Sequence, residues 1–391
     1  MQDYFHKLGE HLETAWARAG RAEDDFSEVA AHALEARPPL EGLDLEALVD
    51  AILDSGNPAP AQLAPPGAFG QPGVTVYRGR DFLVEVYFWL QSLSAIHDHP
   101  FCGAFSILQG FSVHAVYDFA VTEELGERAR LGRLAPTRLE LLEAGHVGAF
   151  GQRRHALIHA LLHVPIPSVS MVVRTERAHG YQRYFPPGVA LAMAAPVETF
   201  ERPMQLLDTL RACGHPDYAR RFEAFLRSAD FETAFRAISR IWFGSTQAER
   251  EHWLDVASDR HGDRVGAIRA ALERAGVTQE ADLLRARLGG ADERLIATAL
   301  LLAENRDDLL ALLAERHPDP VARLHTFVDE ADVFGPDEEA GAVIAHALID
   351  GLDLAATIRR LVDSFGEAAI GGREAEVRAC HAGCAFAMLG R

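Results

Sequence analysis

The sequence predicts an α+β multidomain protein with a central antiparallel β-barrel, an N-terminal helical segment and a C-terminal all-helical domain. The chain has 391 residues, which is too long for one small barrel. A proline-rich stretch separates an early helical pattern from a run of strand-like segments, and helical periods return after about residue 196. We therefore divide the chain into an N-terminal helical segment with its linker (1–66), a barrel (67–190) and a helical domain (191–391).

The N-terminal segment spaces its apolar residues as a helix does. Leu45, Leu48 and Ile52 recur at intervals of three or four residues, and Asp44 is a suitable N-cap. Five prolines follow between residues 57 and 73. Because proline disfavours both helices and central strands, this stretch marks a domain boundary.

The central region contains short apolar or alternating runs separated by glycine, proline and charged residues. This pattern is typical of the strands of a barrel. The predicted strands are Val74–Arg78, Phe82–Leu90, Ala104–Leu108, Ser112–Phe119, Arg138–Leu142, His146–Phe150, Ala156–Val164 and Ser168–Thr175.

The C-terminal region has alanine, leucine, arginine and glutamate at helical periods with short breaks. We predict roughly ten helices arranged as helical hairpins, without a repeat of fixed length. Representative segments are Met204–Cys213, Phe231–Trp242, Arg264–Ala275, Ala291–Leu302, Val321–Val333 and Ala342–Leu352.

Composition excludes several classes of partner. The formal net charge is −19, which argues against a nucleic-acid or anionic-membrane surface, because phosphate neutralisation needs lysine and arginine. No run of eighteen apolar residues predicts a membrane span, and Met1–Gly20 is too polar for a signal peptide. Four cysteines do not make a disulfide framework at this length. We expect a reduced, cytoplasmic protein, and the single lysine beside many arginines suggests a GC-rich bacterial genome.

A His-x-His pair is the strongest functional signal in the chain. His97 and His99 follow one predicted strand and precede another, so their alternate side chains share one face. Two imidazoles on one face can chelate a metal ion, and a third histidine would complete a facial site with open positions. Two structural histidines without a metal are the simpler alternative.

Three later histidines compete for the place of third ligand. His155, His159 and His163 share strand parity. We choose His159, because Ile158 and Ala160–Leu161 give it the apolar flanks of a strand in a barrel wall. His155 is the alternative, and His163 is expected to hydrogen-bond a ligand or the substrate. The same spacing of four residues also fits one face of a helix.

The His97-x-His99 pair, closed by Gly110, resembles the first metal-binding motif of the cupin superfamily. Cupins usually carry a glutamate ligand about five residues after the second histidine, where this chain has Gly103-Ala104-Phe105. A cupin with His-Asp-His and no such glutamate resembles the thiol dioxygenases, which include cysteine dioxygenase. That resemblance implies Fe(II) held by three neutral histidines, although imidazole also accepts other divalent transition metals.

The resemblance also suggests residues that would contact the substrate. Arg78 lies roughly where thiol dioxygenases place an arginine for the substrate carboxylate, and its alternative is a surface arginine. His114 follows Gly110 on the next strand and is expected to face the pocket. The Ser-x-His-x-Tyr network of that family is matched only at Ser170, since Val172 and Arg174 occupy the other two positions. An inward Arg174 would favour an anionic substrate.

These observations predict a mononuclear Fe(II) cupin dioxygenase that oxidises a small or peptide-borne substrate with O2. The substrate is expected to be anionic or thiol-containing. A non-catalytic metal- or ligand-sensing cupin whose helical domain binds a protein is an alternative, and a metal-dependent isomerase or lyase is another. The helical domain is expected to serve a protein partner or a homodimer, without nucleic acid or membrane.

Overall fold

The computed structural model describes residues 2–39, 44–53, 62, 71–90, 95–151, 153, 155–192, 198–331, 339–383 and 386–390. The strands are β1 (Gly73–Arg78), β2 (Phe82–Trp89), β3 (Gly103–Gln109), β4 (Ser112–Glu124), β5 (Ala129–Leu142), β6 (Val147–Phe150), β7 (Ile158–His163), β8 (Ser168–Thr175), β9 (Arg183–Tyr184) and β10 (Val189–Ala192). The helices are α1 (Gln2–Arg18), α2 (Phe26–Ala36), α3 (Leu45–Leu53), α4 (Glu198–Ala212), α5 (Tyr218–Ser228), α6 (Phe231–Trp242), α7 (Gln247–His261), α8 (Val265–Arg287), α9 (Ala291–Leu302), α10 (Arg306–Ala314), α11 (Pro320–Glu330), α12 (Glu339–Ile349), α13 (Leu354–Phe365), α14 (Glu367–Ile370) and α15 (Glu374–Gly383).

The strands form two five-stranded antiparallel sheets. The first sheet has the order β1-β2-β8-β3-β6 and the second has the order β7-β4-β5-β10-β9. The two sheets face each other across a small apolar core of Phe105, Ile107, Leu142 and Phe150. The antiparallel β-structure that the sequence predicts is present as these two sheets, and closure of the strands into one barrel stays a prediction.

Strand β7 decides between the two interpretations of the second histidine cluster. Ile158–His163 pairs with β4 in an antiparallel register, so the helical alternative for this stretch is wrong. Ala160 and Leu162 pack among the helices, whereas His159 and His163 occupy the opposite face. This alternation is the period of two that a half-polar, half-apolar strand requires.

The hairpin of β4 and β5 is much longer than predicted. Its outer half carries exposed and charged residues, which weakens the apolar alternation on which the prediction depended. Pro136 lies inside β5, where Val116 pairs with Arg138 and Tyr117 with Pro136. Thr137 is therefore the extra residue of a bulge, and bulges tolerate a proline that a regular ladder excludes.

The N-terminal helices cover the outer face of the first sheet. Leu8 and Leu12 of α1 and Phe26 of α2 share one buried cluster with Phe82 and Met171 of the sheet. The Ser27 hydroxyl donates a 2.6 Å hydrogen bond to the carbonyl of Phe150. Most of the predicted proline-rich linker lies outside the described residues.

The C-terminal helices cover the outer face of the second sheet. Twelve α-helices occupy the described residues after 197, and the predicted helices 231–242 and 291–302 are confirmed at both ends. Strand β10 ends two residues beyond the predicted boundary at residue 190. Among the helices that the structure describes, none combines the length and apolarity that crossing a membrane requires.

Candidate metal centre

Two segments bring three histidines together between the sheets. His97 and His99 lie on the stretch before β3, and His159 lies on β7. The backbones of His97 and His159 exchange two N–H···O bonds of 2.9 Å, and His97 also bridges to Tyr184 of β9. Asp98 accepts the amide of Arg183 at 2.6 Å, which fixes the same stretch to β9. The three histidines are thereby held on a paired backbone rather than on a free loop.

The geometry of the three rings fits one metal ion. One ligand atom from each of His97, His99 and His159 lies within 4.8 Å of the others. Their ring centroids form a nearly equilateral triangle with sides of 4.8, 4.9 and 5.0 Å. The Nε2 atoms of His99 and His159 are 2.9 Å apart. Two metal–nitrogen bonds of about 2.1 Å at a right angle place their nitrogens about 3.0 Å apart.

A hydrogen-bonded relay sets the tautomer of His159. His114 Nδ1 lies 2.9 Å from Glu140 Oε1, and a carboxylate only accepts, so Nδ1 of His114 carries the hydrogen. Nε2 of a neutral His114 is then an acceptor, and it lies 2.9 Å from Nδ1 of His159. His159 therefore donates through Nδ1, and its Nε2 presents a lone pair towards the other two rings.

His97 is oriented by a separate acceptor. Its Nδ1 lies 2.9 Å from the carbonyl of Ala95, so this nitrogen donates and Nε2 keeps its lone pair. Nδ1 of His99 is buried without a hydrogen-bond partner among the described residues. Two of the three rings thus have the outer partner that orients metal-binding histidines in proteins.

Burial keeps these rings uncharged. His97 is 9% exposed, and His114 and His159 are each 3% exposed. Burial lowers the pKa of His97 and of His114, and it lowers the pKa of His99 and of His159 well below the ordinary value. Neutral imidazole is the form that binds a metal, so the chemistry of the donor set agrees with its geometry.

A second polar group lies beside the histidines. Arg174 of β8 donates through Nε to Glu85 of β2 at 2.6 Å, and the hydroxyl of Tyr87 donates to the same carboxylate at 2.9 Å. The guanidinium lies 4.9 Å from the ring centroid of Phe101, and it lowers the pKa of His99 in addition to the larger effect of burial. Arg174 therefore lies inside, the position that would favour an anionic substrate, but Glu85 compensates its charge. An anionic substrate does not follow from its position.

His163 lies further along β7 in a different environment. Its Nδ1 is 2.8 Å from the hydroxyl of Ser112, and its ring stacks on Trp89 at 4.4 Å. The indole of Trp89 donates to Ser170 at 2.8 Å. We had expected His163 to hydrogen-bond a ligand histidine or the substrate. The residue that hydrogen-bonds His159 from outside the cluster is His114.

The other two candidates lie elsewhere. Arg78 is exposed at the end of β1, where it pairs with Glu176. Its side chain therefore forms a surface ion pair instead of the expected contact with a substrate carboxylate. His155 precedes β7, and its Nε2 lies 3.4 Å from a carboxylate oxygen of Glu28 on α2. The cluster therefore contains His159 and not His155.

Sequence reasoning missed the acidic partners Glu140 and Glu85 and the hydroxyl of Tyr87. Glu140 faces His114 directly across the hairpin, but this pairing does not follow from the periodicity of either strand alone. Glu85 and Tyr87 alternate with Val84 and Val86 along β2. Their alternation placed both polar side chains on one face of the strand, but we had considered this segment only as an apolar strand.

Comparison with known proteins adds little. No protein-family model matches the chain, and no curated protein matches it. Among solved structures, an oxalate oxidase matches with 13% sequence identity and a TM-score of 0.20, covering 39% of this chain and 70% of that chain. At this level of similarity, neither the activity nor the residues of oxalate oxidase transfer to this chain.

Proposed function

We propose that this chain is a cupin-type metalloprotein that holds one divalent transition metal through His97, His99 and His159, and that it is an Fe(II)-dependent dioxygenase. The observation that carries the proposal is the convergence of three buried, neutral histidines whose ligand atoms lie within 4.8 Å of one another. A buried cluster of this kind is a functional-site candidate when its geometry and its pKa shifts agree.

The three histidine ligands favour redox or Lewis-acid chemistry, because neutral ligands do not compensate the charge of a bound metal. Three neutral ligands leave the full +2 charge on the metal, which would attract an electron-rich substrate and allow O2 to react with it. Imidazole suits zinc, copper, nickel and manganese as well as iron, so the ligands alone do not select the metal. We prefer iron because of the resemblance to the thiol dioxygenases.

The surrounding residues prepare the site in distinct ways. Glu140 and His114 hold the His159 ring so that its Nε2 faces the other ligands. Phe150 and Phe101 lie against His99, with ring centroids at 4.5 and 5.4 Å, and exclude water from that side. An apolar wall of this kind strengthens electrostatic interactions inside the site.

Fewer residues support the proposed substrate class than support the proposed metal site. The hydroxyl of Tyr87 donates to Glu85 of the Arg174–Glu85 pair, and burial raises its pKa, so it stays protonated at neutral pH. The tyrosine expected by resemblance at position 174 is an arginine. A small thiol or carboxylate remains the substrate class that we propose, without Arg78 as its anchor.

A ligand-sensing role is the second candidate, because the helical region packs directly on the strands that carry the site. Ala115 and Tyr117 of β4 and Leu162 of β7 lie in one cluster with the C-terminal helices. A shift of β4 or β7 on ligand binding would therefore reach the helices without an intermediate element.

Metal analysis of anaerobically purified protein tests the proposal. We expect one transition metal per chain in the wild type and in His155→Ala, and loss of stoichiometric metal in His97→Ala and His159→Ala. O2 consumption with a panel of small thiols and carboxylates then separates the two roles. Metal-replete His97→Ala and His159→Ala proteins would refute the site. A metal-replete wild type that consumes no O2 would contradict the dioxygenase and would favour the ligand-sensing role.

A further inference from the structure

The described residues form a large groove that none of the three clustered histidines lines. A groove of about 1400 Å³ runs between the end of the second sheet and helices α6, α8 and α9. Trp89 and His163 border it on the sheet side, and Phe243 and Leu283 border it on the helix side. Sites for small organic molecules usually measure about 300–1,000 Å³, so this groove has room for an extended ligand.

Exposed apolar side chains concentrate in this groove. Eight large apolar side chains are exposed in the described part of the chain, and four of them line the groove. These are Leu90 (50% exposed), Ile166 (49%), Phe243 (52%) and Leu283 (59%), and they come from both walls. Exposed apolar side chains that face one another across a groove indicate a partly apolar ligand, whereas scattered ones need no explanation.

Arginines accompany the apolar residues, although the chain as a whole has a net charge of −19. Five arginines line the groove. Three have carboxylate partners: Arg236 pairs with Glu232, Arg240 with Asp208 and Arg285 with Asp282.

The remaining two arginines bind only main-chain carbonyls. Arg274 donates to Leu301 at 3.3 Å, and Arg294 donates to Val164 at 3.0 Å and to Leu288 at 2.8 Å. Neither has a carboxylate within ion-pair distance among the described residues, and both are half-buried. A partly desolvated guanidinium without a carboxylate at ion-pair distance is a ready partner for a carboxylate or phosphate, although the carboxylate of Glu304 also lines the groove.

The residues of α8 that line the groove indicate the direction and the length of a molecule bound in it. Arg274, Thr278, Asp282 and Arg285 lie on the face of this helix that lines the groove, at spacings of three or four residues. The lining positions extend from Ala271 to Ala286. At 1.5 Å per residue they cover about 22 Å, which suits an extended molecule better than a compact one.

We propose that this groove binds an anionic amphiphile, meaning a small organic molecule with a carboxylate-type head group and an extended hydrocarbon part. The head group pairs with Arg274, and the hydrocarbon part lies along Phe243 and Leu283. The proposal does not depend on the metal centre, because none of the three clustered histidines lines the groove.

Calorimetric titration with dodecanoate, below its micellar concentration, tests this proposal on the full chain. We expect one dodecanoate per chain, with binding at least about tenfold tighter than that of dodecyltrimethylammonium, which has the opposite charge, or of butyrate, which lacks the long chain. Arg274→Gln should weaken dodecanoate binding by about tenfold, since it removes a charged hydrogen bond. Arg264→Gln is the matched control, because Arg264 pairs with Glu123 outside the groove.

A second pair of variants tests the apolar wall. Phe243→Ser should weaken dodecanoate binding severalfold, whereas Leu206→Ser should not, although Leu206 is more exposed (67% against 52%) on a surface outside the groove. Binding should persist in His97→Ala protein, so a failure here and a failure of the metal site are distinguishable. Equal affinity for the cationic amphiphile, or unchanged dodecanoate binding in both Arg274→Gln and Phe243→Ser, would overturn the proposal.

Discussion

Glu140→Gln is the most informative single substitution at the candidate metal centre. The carboxylate of Glu140 accepts from His114, which in turn accepts from His159, so Glu140 acts on the metal only through two rings. Glutamine has nearly the same size and can still accept through its amide oxygen. The substitution therefore removes a charge while leaving the relay in place.

The expected effect is small but measurable. A hydrogen bond to a charged group contributes about 1 kcal/mol more than a neutral one. Glu140 is 29% exposed, and screening by water reduces this difference to about half, so we expect the metal Kd to rise by about two- to threefold. His114→Ala should raise it by about 10–100-fold, because Nδ1–H of His159 then loses its buried acceptor.

Competition between the protein and a chelator for Co(II) measures these constants, and the Co(II) absorption bands report the ligand geometry. Glu143→Gln is the matched control, since Glu143 pairs with Arg316 at the surface. The double variant His114→Ala/Glu140→Gln should bind no more weakly than His114→Ala alone. Additive losses in the double variant would refute a relay in which Glu140 acts only through His114.

Three further predictions concern stability and pH. Gly103→Ala should destabilise the fold by about 3 kcal/mol in urea titrations, because its Cβ would lie 2.1 Å from the carbonyl oxygen of Val173 in the neighbouring strand. Gly266→Ala in α8, where nothing lies within 4 Å, should be neutral or stabilising by up to about 1 kcal/mol. Burial lowers the pKa of His163 to about 3, so the unfolded chain binds more protons than the folded one below pH 6.5. Stability should then fall with acid by up to about 1.4 kcal/mol per pH unit for this group, and His163→Gln should flatten that slope in urea titrations from pH 7 to pH 4.

The parts of the site that follow from local periodicity could be predicted from the sequence. His97 and His99 alternate on an extended stretch, and His159 sits between apolar neighbours on a strand, so parity alone placed all three on an inward face. The choice of His159 over His155 depended on the apolar flanks Ile158 and Ala160–Leu161, and His155 does precede β7 rather than lying on it.

The parts that depend on register and on partners could not be predicted. Glu140 faces His114 because of the register in which β4 pairs with β5, which the periodicity of either strand alone does not give. The charge of Arg174 faces inward, but its compensation by Glu85 depends on a contact between residues 89 positions apart. Spacing along the chain does not encode such contacts, so the position of Arg174 alone does not support an anionic substrate.

The division into barrel and helical domain, which composition suggests, does not correspond to a division in packing. Each of the strands β4 and β7 presents one face to the histidines and the other to the helices. His114 and His159 share their strands with Ala115 and Leu162, which are buried against α9 and its neighbours. Because a strand cannot move one face without the other, the helical region constrains the positions of His114 and His159. The helices are therefore part of the structure that holds the histidines of the candidate metal centre in place.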